Sequence, residues 1–184
     1  MKRLPAYFLL STLAVAIALA GCGGNDAQTD SLGEPPPTAP ESIKLTSPAF
    51  GKNDTIPKEF TCDGANTPPP LQWSNVPKEA KELALFVEDP DAPSGNFVHW
   101  TVYGIDPGST AVPDDATEGE NSAGKKGYTG PCPPAGDDPH RYVFALYALD
   151  EATGLAVGAS PDAVRTALDR SAIARGQLIA EYGR

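Results

Sequence analysis

Histidine is rare in this chain, which has only His99 and His140 among its 184 residues. The first lies in the segment DPDAPSGNFVHW, shortly after an Asp-Pro-Asp turn, and the second directly follows the segment GYTGPCPPAGDDP. An imidazole titrates near neutral pH, so it donates to an anion when protonated and ligates a metal ion when neutral. A single histidine on a strand is more often a residue of the packed core. Two histidines in matched settings favour a shared site.

Both histidines lie near the start of a predicted strand, just after a loop rich in proline and glycine. Between these loops the apolar runs are too short, and too rich in β-branched and aromatic residues, for helices. We predict strands at residues 42–47, 83–89, 97–105, 140–150 and 176–182. Binding residues concentrate in loops at the rim of a rigid sheet, so the position of the two histidines favours a binding role.

Side chains alternate between the two faces of a strand, and this alternation assigns the residues of both histidine strands to faces. On residues 97–105 one face carries Phe97, His99, Thr101, Tyr103 and Ile105, and the other carries Val98, Trp100 and Val102. On residues 140–150 one face carries His140, Tyr142, Phe144 and Leu146. Each histidine is therefore predicted at one end of a mostly buried strand.

One segment, residues 160–170, has the features of a helix instead. In its sequence SPDAVRTALDR, Ser160 suits the N-cap and Pro161 suits the first helical position. Val164 and Leu168 are four residues apart and so lie on one face of the helix. Together these elements predict a mainly β protein, an antiparallel β-sandwich with one or two short helices near the C-terminus.

Residues 1–21 have the features of a secretory signal peptide. Lys2 and Arg3 precede the apolar run Tyr7–Ala20, which is shorter than the roughly 20 residues that span a bilayer. The sequence LAGC, which ends at Cys22, resembles the bacterial lipobox, in which the cysteine carries acyl chains such as palmitate. Two or more acyl chains hold a protein stably on a membrane. We expect a lipid anchor on the cell membrane or outer membrane, with a plain secreted protein as the alternative.

The mature chain is expected to consist of a tether and one acidic domain. Residues 22–41 contain hardly any bulky apolar side chain, which predicts a flexible segment, and residues 42–184 have the size of one domain with a real core. Without Lys2 and Arg3 the chain has 12 basic and 24 acidic residues, a formal charge of −12. Nucleic acid is excluded as a partner because binding it requires a cationic surface. Membrane attachment would depend on the acyl anchor.

Cys62 and Cys132 remain for other roles once Cys22 is assigned to the lipid. Outside the cytoplasm a disulfide persists, and closing a loop of about 70 residues would stabilise the fold by roughly 4 kcal/mol. The alternative is two unpaired buried thiols. No C-x-x-C spacing occurs in the chain, so a zinc site built from cysteines is not indicated.

Several segments, taken in order, resemble the phosphatidylethanolamine-binding protein family, which includes the Raf kinase inhibitor proteins. These segments are DPDAP followed by VHW, and GYTGPCPPAG followed by HRY and LYALD. The segments FTCDGAN and PPLQW place the resemblance nearest to the bacterial Raf-kinase-inhibitor-like branch. The resemblance covers about residues 42–184 and implies a β-sandwich with a small anion-accepting pocket at one end.

The same resemblance implies which residues line the pocket. They are Asp89, Asp91, His99, Gly130, Pro131, His140 and Tyr142. Because carboxylates repel anions, we expect Asp89 or Asp91 to accept a hydrogen bond from His99, which fixes the ring and favours its protonated form. The other nitrogen of His99 would then donate into the pocket. His140, the Tyr142 hydroxyl and backbone N–H groups of the glycine-rich loop would add further donors.

These expectations describe a lipid-anchored, extracytoplasmic protein that binds a small anionic ligand, such as a phosphate or a phospholipid headgroup, without turning it over. No enzymatic activity, cofactor or metal is predicted, and no G-x-S-x-G motif occurs. One alternative is an inhibitor or regulator that docks on a kinase or protease, although no motif encodes a surface for a protein partner. A second is a metal-dependent hydrolase, because two aspartates and two histidines are metal-ligand types. No H-x-H or H-E-x-x-H pair supports it.

Overall fold

The computed structural model describes residues 39–184, so the predicted signal peptide, Cys22 and most of the tether lie outside the described residues. The elements are β1 (Lys44–Thr46), a 3-10 helix (Lys58–Phe60), β2 (Gln72–Ser74), β3 (Glu82–Asp89), β4 (Phe97–Ile105), β5 (Thr117–Glu118), β6 (His140–Leu149), α1 (Pro161–Ser171) and β7 (Ala172–Tyr182). The five predicted strands and the predicted helix are all present. The short elements β2, β5 and the 3-10 helix were not predicted.

The strands form two sheets, which confirms the mainly β fold class. Five strands form an antiparallel sheet in the order β5-β4-β3-β6-β7, and β1 pairs with β2 in a second, smaller sheet. Every residue of the central strand β3 is buried. Leu83, Leu85 and Val87 face the larger core, which includes side chains of β1 and β2. Ala84 and Phe86 face a second core on the opposite side of the sheet.

Helix α1 covers the second core, as its sequence pattern predicts. The Ser160 hydroxyl accepts a hydrogen bond from the Ala163 N–H at 3.3 Å, which caps the first turn. Val164 and Leu168 are buried in the second core. The chain thus has three layers, with the five-stranded sheet between the β1–β2 pair and the helix.

Strand β4 contains a β-bulge at His99. Val87 of β3 pairs with Trp100, whereas the next residue, Glu88, pairs with Val98, so His99 is skipped in the ladder. A bulge inserts one residue, bends the strand and turns side chains in a new direction, and bulges are common next to functional sites. The predicted faces are therefore wrong here, because Val98 and Trp100 pack in different cores.

A second register shift lies near the end of β4, beside Gly104, whose φ is 71°. Tyr103 and Ile105, which strict alternation predicts on one face, therefore pack in different cores. Strand β6 keeps regular alternation over the residues that face the larger core. This confirms the shared face predicted for Tyr142, Phe144 and Leu146.

The folded part of the chain includes residues 39–41, which the composition of the N-terminal segment predicts to be flexible. Ala39 is buried, and the Pro40 carbonyl accepts a hydrogen bond from the Arg175 N–H of β7 at 2.9 Å. Glu41 also forms an isolated parallel β-bridge with Arg175 through the backbone. The domain therefore begins at least three residues before the predicted boundary at residue 42. Within residues 39–184, no helix has the length and apolar character needed to cross a membrane.

A buried carboxylate joins the sheet, the helix and the loop that follows β3. The Glu88 side chain, 3% exposed, forms an ion pair with Arg165 of α1 and accepts a hydrogen bond from the Asn96 amide at 2.7 Å. The Arg165 guanidinium also lies 4.6 Å from the centre of the Phe86 ring. Glu88 therefore holds both α1 and the end of the 90–96 loop against the sheet.

We expect Arg165→Met to lower the free energy of unfolding by about 3 kcal/mol, because it leaves the buried Glu88 carboxylate without its cation; the cost lies at the low end for a buried pair because the Arg165 side chain is 33% exposed. Urea denaturation measures this loss. Arg170→Met makes the same chemical change at an exposed position of α1 and should cost little. The double variant Glu88→Gln, Arg165→Met should lose less stability than Arg165→Met alone. Equal losses for Arg165→Met and Arg170→Met would contradict the proposed role of the ion pair.

Candidate functional site

A cavity of about 420 Å³ opens at the end of the five-stranded sheet where β3 ends and β4 and β6 begin. Three buried polar residues of these strands line it: Asp89, His99 and His140. The remaining wall is largely apolar and comes from Phe97 at the start of β4 and from loop residues, including Ala92, Pro93, Ala123, Pro133 and Pro134. The cavity thus combines one strongly polar region with apolar sides, as small-molecule sites generally do.

Asp89 and His140 meet because β3 and β6 are antiparallel neighbours. Asp89 is the last residue of β3 and His140 is the first residue of β6. His140 Nδ1 lies 2.8 Å from Asp89 Oδ2, and the two side chains are 8% and 5% exposed. Asp89 Oδ1 accepts a hydrogen bond from the Asp91 N–H at 2.8 Å. The predicted hydrogen bond from His99 to an aspartate is therefore wrong, because His140 occupies that partner position.

His99 has a backbone partner instead. Its Nδ1 lies 2.6 Å from the Thr129 carbonyl oxygen, and because a carbonyl only accepts, Nδ1 carries the proton. The ring packs against Phe97 at 4.7 Å and edge-on against Tyr142 at 5.2 Å between ring centres. Thr129 therefore fixes both the tautomer and the orientation of His99.

Burial is the largest influence on the pKa of His99 and lowers it below the ordinary value of 6.5. The hydrogen bond to Thr129 and the negative charge of Asp89 oppose this shift, whereas positive charge on His140 adds to it. The negative charge of Asp89 thus favours the protonated form of His99, as expected, but it acts without the expected hydrogen bond and burial outweighs it, so the net shift of the pKa is downward. Above pH 6.5 the neutral ring predominates, and its Nε2 carries a lone pair.

The two imidazoles offer the same atom to a ligand. In each ring Nδ1 is engaged, with Thr129 for His99 and with Asp89 for His140. Neither Nε2 has a hydrogen-bond partner in the part of the chain that the structure describes. Each Nε2 accepts a hydrogen bond when its ring is neutral and donates one when its ring is protonated.

Gly130 lines the cavity, but its N–H is already used. It donates to the Asn66 side-chain oxygen at 2.7 Å, so the predicted donation from this residue to a ligand is not available. A Cβ atom at Gly130 would lie 2.4 Å from the Phe60 carbonyl oxygen and 2.5 Å from the Asn66 oxygen. A glycine is needed here because two loops pack closely, rather than because a ligand approaches the backbone.

The two loops are also joined covalently. Cys62 and Cys132 form a disulfide with a Cα–Cα distance of 5.4 Å, and both residues line the cavity. The alternative of two unpaired buried thiols does not apply, because the residues are bonded and exposed. Pro131, by contrast, is buried and does not line the cavity. Its carbonyl accepts a hydrogen bond from the Cys62 N–H at 3.1 Å.

Two further residues predicted to line the pocket lie away from the cavity surface. Asp91 binds Arg141 through two side-chain hydrogen bonds of 2.9 and 2.7 Å, and Arg141 holds the pKa of Asp91 below its ordinary value. Tyr142 packs against His99, and its hydroxyl has no hydrogen-bond partner within residues 39–184. Burial and the nearby Asp89 charge raise the pKa of Tyr142 far above its ordinary range.

The arrangement of side chains does not match the expectation for a metal-dependent hydrolase. Over the described residues 39–184, no group of three or more His, Cys, Asp or Glu side chains is placed to hold a metal ion. Asp89, the carboxylate nearest to the two imidazoles, already accepts hydrogen bonds on both of its oxygens.

Three residues that shape the cavity were not identified from the sequence. Asn66 holds the Gly130 N–H, Phe97 packs on His99, and the Thr129 carbonyl fixes the His99 tautomer. Asn66 has a positive φ of 57°, a conformation that asparagine tolerates better than most residues. That preference and its place in the segment FTCDGAN were the available signals. Nothing local indicates a partner 64 residues further along the chain.

The family model described as "Phosphatidylethanolamine-binding protein" matches residues 46–183. The chain belongs to the phosphatidylethanolamine-binding protein family. Its sequence is 41% identical over 187 residues to "Putative lipoprotein LppC" of Mycobacterium tuberculosis, with 92% of each chain covered. It is 43% identical over 152 residues to a UPF0098 protein of Methanothermobacter thermautotrophicus, which covers 77% of this chain and 99% of the archaeal protein. The family resemblance seen in the sequence is thereby confirmed.

Solved structures of the phosphatidylethanolamine-binding protein family match the fold. A homologue from Chlamydia trachomatis has a TM-score of 0.73 at 39% identity, and Escherichia coli YbcL has a TM-score of 0.73 at 31% identity. Both matches cover 78% of this chain and 99% of the other chain. A carboxypeptidase Y inhibitor, solved in complex with its cognate proteinase, has a TM-score of 0.53 at 17% identity. This last similarity shows the fold alone.

We expect His99 to stay neutral, with its proton on Nδ1, down to a pH below 6.5. Its lowered pKa means that the unfolded chain binds the proton first as the pH falls. The contribution of His99 to stability is therefore complete above 6.5 and is lost as the pH falls toward the pKa in the folded state. Nitrogen-15 NMR of the ring measures the tautomer and the titration midpoint.

The variant His99→Gln should remove this part of the pH dependence of the free energy of unfolding, whereas His140→Gln should retain it. Urea denaturation at a series of pH values compares the two variants. A titration midpoint for His99 above 6.5, or a proton on Nε2 in the neutral ring, would show that Thr129 and burial do not control this residue.

Proposed function

We propose that this member of the phosphatidylethanolamine-binding protein family is a lipid-anchored, extracytoplasmic protein that binds a small phosphate-bearing ligand without turning it over. The observation that carries the proposal is the pair of buried imidazoles that line one cavity. Each ring is held through Nδ1, and each has an Nε2 without a partner within residues 39–184. When the rings are protonated, two fixed Nε2 donors of this kind suit the oxygens of one phosphate group.

The charge of Asp89 need not repel such a ligand. Both of its oxygens accept hydrogen bonds from the protein, one from His140 and one from the Asp91 N–H. When His140 is protonated, the Asp89 carboxylate at 2.8 Å balances the positive charge on the ring. The Nε2 of His140 then donates to the ligand. Asp89 therefore acts as a support for the histidine rather than as a contact for the anion.

A hydrogen bond between either Nε2 and a phosphate oxygen requires a proton on one of the two atoms. Neutral His99 and neutral His140 present lone pairs at Nε2, and a phosphate oxygen without a proton also has only lone pairs. Binding therefore takes up a proton from solvent, or the ligand enters with one of its own. The affinity for an anion of constant charge should rise as the pH falls.

The shape of the cavity limits the class of ligand. A volume of about 420 Å³ lies at the small end of the range for small-molecule sites. The histidines line it together with loop residues that are mostly apolar. A compact phosphoester with a short, partly apolar substituent fits this arrangement, whether it is a free metabolite or a lipid headgroup.

The N-terminal region supplies the proposed attachment to a membrane. The match with the lipoprotein of Mycobacterium tuberculosis covers 92% of this chain, whereas the match with the archaeal relative covers 77%. The match with the lipoprotein therefore includes a part of this chain that the match with the archaeal protein does not cover. With Cys22 acylated, a tether of about 16 residues would hold the domain on the order of 20 Å from the membrane.

We expect His140→Ala to weaken the binding of O-phosphoethanolamine by roughly tenfold to a hundredfold, the effect of losing one hydrogen bond to a charged group. Isothermal titration calorimetry on the purified chain measures the affinity. Arg170→Met removes a positive charge from an exposed position of α1 and serves as the control, with unchanged affinity expected.

The same experiment with sulfate separates the protonation of the protein from that of the ligand, because sulfate keeps its charge between about pH 5 and pH 8. Sulfate affinity should increase as the pH falls, because sulfate carries no proton and an imidazole donates from Nε2 only when it is protonated. Unchanged phosphoethanolamine affinity in His140→Ala, or sulfate affinity that does not depend on pH, would refute the proposed site.

We expect Cys22→Ala to move the protein from the membrane fraction to the soluble fraction, because this thiol carries the acyl chains in the proposed anchor. Fractionation of the source cells and intact mass measurement of the mature protein test the change. Gly23→Ala alters the neighbouring residue without removing a thiol and should remain in the membrane fraction. Retention of Cys22→Ala on the membrane would rule out this anchor.

A further inference from the structure

We infer that the Cys62–Cys132 disulfide is a site of thiol–disulfide exchange, and that its reduction by a dithiol weakens ligand binding in the cavity. The effect on binding rests on the proposed function, whereas the exchange itself does not. The disulfide lines the same cavity as His99 and His140. A change in this bond therefore changes the wall of the site.

The first observation is access. Cys62 and Cys132 are both exposed residues, although buried residues surround them along the chain, such as Thr61, Pro131 and Pro133. Exchange requires a thiolate to approach one sulfur atom directly, so buried disulfides react slowly. An exposed disulfide at the mouth of a cavity is open to a dithiol reductant.

The second observation is a positive charge beside both sulfur atoms. Arg184 Nη1 lies 3.4 Å from Cys62 Sγ and 3.5 Å from Cys132 Sγ. The same nitrogen lies 3.3 Å from Asp63, which holds the guanidinium in place. A neighbouring cation stabilises a cysteine thiolate, and a stabilised thiolate leaves faster in exchange. Arg184 therefore favours breakage of the bond, whichever sulfur leaves.

The third observation is what the disulfide holds together. It links the loop around residues 60–66 to the loop at residues 128–134. Between these loops there are also three hydrogen bonds, from the Gly130 N–H to Asn66, from the Cys62 N–H to Pro131, and from the Tyr128 hydroxyl to Phe60. After reduction, noncovalent contacts such as these hold the wall.

The wall is connected directly to a ligand-binding ring. Thr129, whose carbonyl fixes the His99 tautomer, is the neighbour of Gly130 and lies three residues before Cys132. A looser loop changes the position of this carbonyl and hence the orientation of His99. Reduction thus alters both the shape of the cavity and the orientation in which His99 presents its Nε2 to an anion.

The dithiol supplies the electrons and protons that reduce the Cys62–Cys132 bond. Its thiolate attacks the sulfur of one cysteine, the S–S bond breaks, and the other cysteine leaves as a thiolate beside Arg184. The second thiol of the reductant then attacks the mixed disulfide and releases the first cysteine. Two electrons and two protons pass from the dithiol, which becomes a disulfide, to Cys62 and Cys132, which become thiols.

The test measures O-phosphoethanolamine affinity for the oxidised protein and for the protein reduced with dithiothreitol. We expect the reduced form to bind roughly tenfold more weakly, the variant Cys62→Ser, Cys132→Ser to bind as the reduced form does, and reoxidation to restore the affinity. Arg184→Gln should slow reduction by dithiothreitol. Equal affinity in the oxidised and reduced forms would overturn the inference while leaving the proposed ligand site intact.

A readout without ligand separates the two proposals. Nitrogen-15 NMR of His99 and hydrogen exchange at the Thr129 and Gly130 amides should change on reduction, while circular dichroism stays that of a folded protein. If the oxidised protein does not bind O-phosphoethanolamine, the proposed function fails. The NMR and hydrogen-exchange signals then test by themselves whether reduction of the disulfide changes the cavity wall. Signals that do not change on reduction would overturn the inference. Global unfolding on reduction would do so as well, because the disulfide would then be a structural crosslink.

Discussion

The hydrogen bond between Asp89 and His140 is the interaction on which the cavity depends. A carboxylate that is almost fully buried costs free energy unless it is paired and hydrogen-bonded, and Asp89 achieves this through His140 and the Asp91 N–H. The contact with His140 exists only because β3 and β6 are neighbours at the centre of the sheet, whereas the Asp91 N–H belongs to the turn that directly follows β3. The ladder between these two strands, whose residues are almost all buried, therefore determines the polar end of the cavity.

His99 reaches the same cavity because β4 contains a β-bulge at this residue. The bulge at His99 interrupts the pairing of β3 with β4, and the ring then packs between Phe97 and Tyr142, with Nδ1 on the Thr129 carbonyl. The two rings consequently differ in their support. A carboxylate is the partner of His140, whereas the partner of His99 is a carbonyl, which offers only a dipole. Burial outweighs the support that His99 receives and lowers its pKa.

Local patterns predicted the strands, the helix and the histidine setting, because alternation and capping depend on neighbouring residues. The family resemblance brought both histidines to one pocket. Three features could not be predicted, because each depends on contacts distant in sequence. The bulge at His99 is set by packing on both faces of the sheet, Asp89 takes a partner 51 residues away, and Arg141 draws Asp91 out of the cavity. Because Asp89 lies close to His99 in the sequence, a hydrogen bond between them was expected. The pairing of β3 with β6 instead brings His140 to Asp89.

The body of the protein and its cavity have opposite requirements. The chain carries a formal charge of −10 and repels anions at long range, so under the proposed function an anion would gain only from donors that it meets inside the cavity. Those donors need a proton at Nε2. The proposed anchor does not supply that proton, because an anionic membrane surface concentrates protons only within about one Debye length, roughly 8 Å, and the proposed tether reaches on the order of 20 Å. The hydrogen-bond partners of the two rings inside the domain, rather than the membrane, would therefore decide how the cavity accepts an anion.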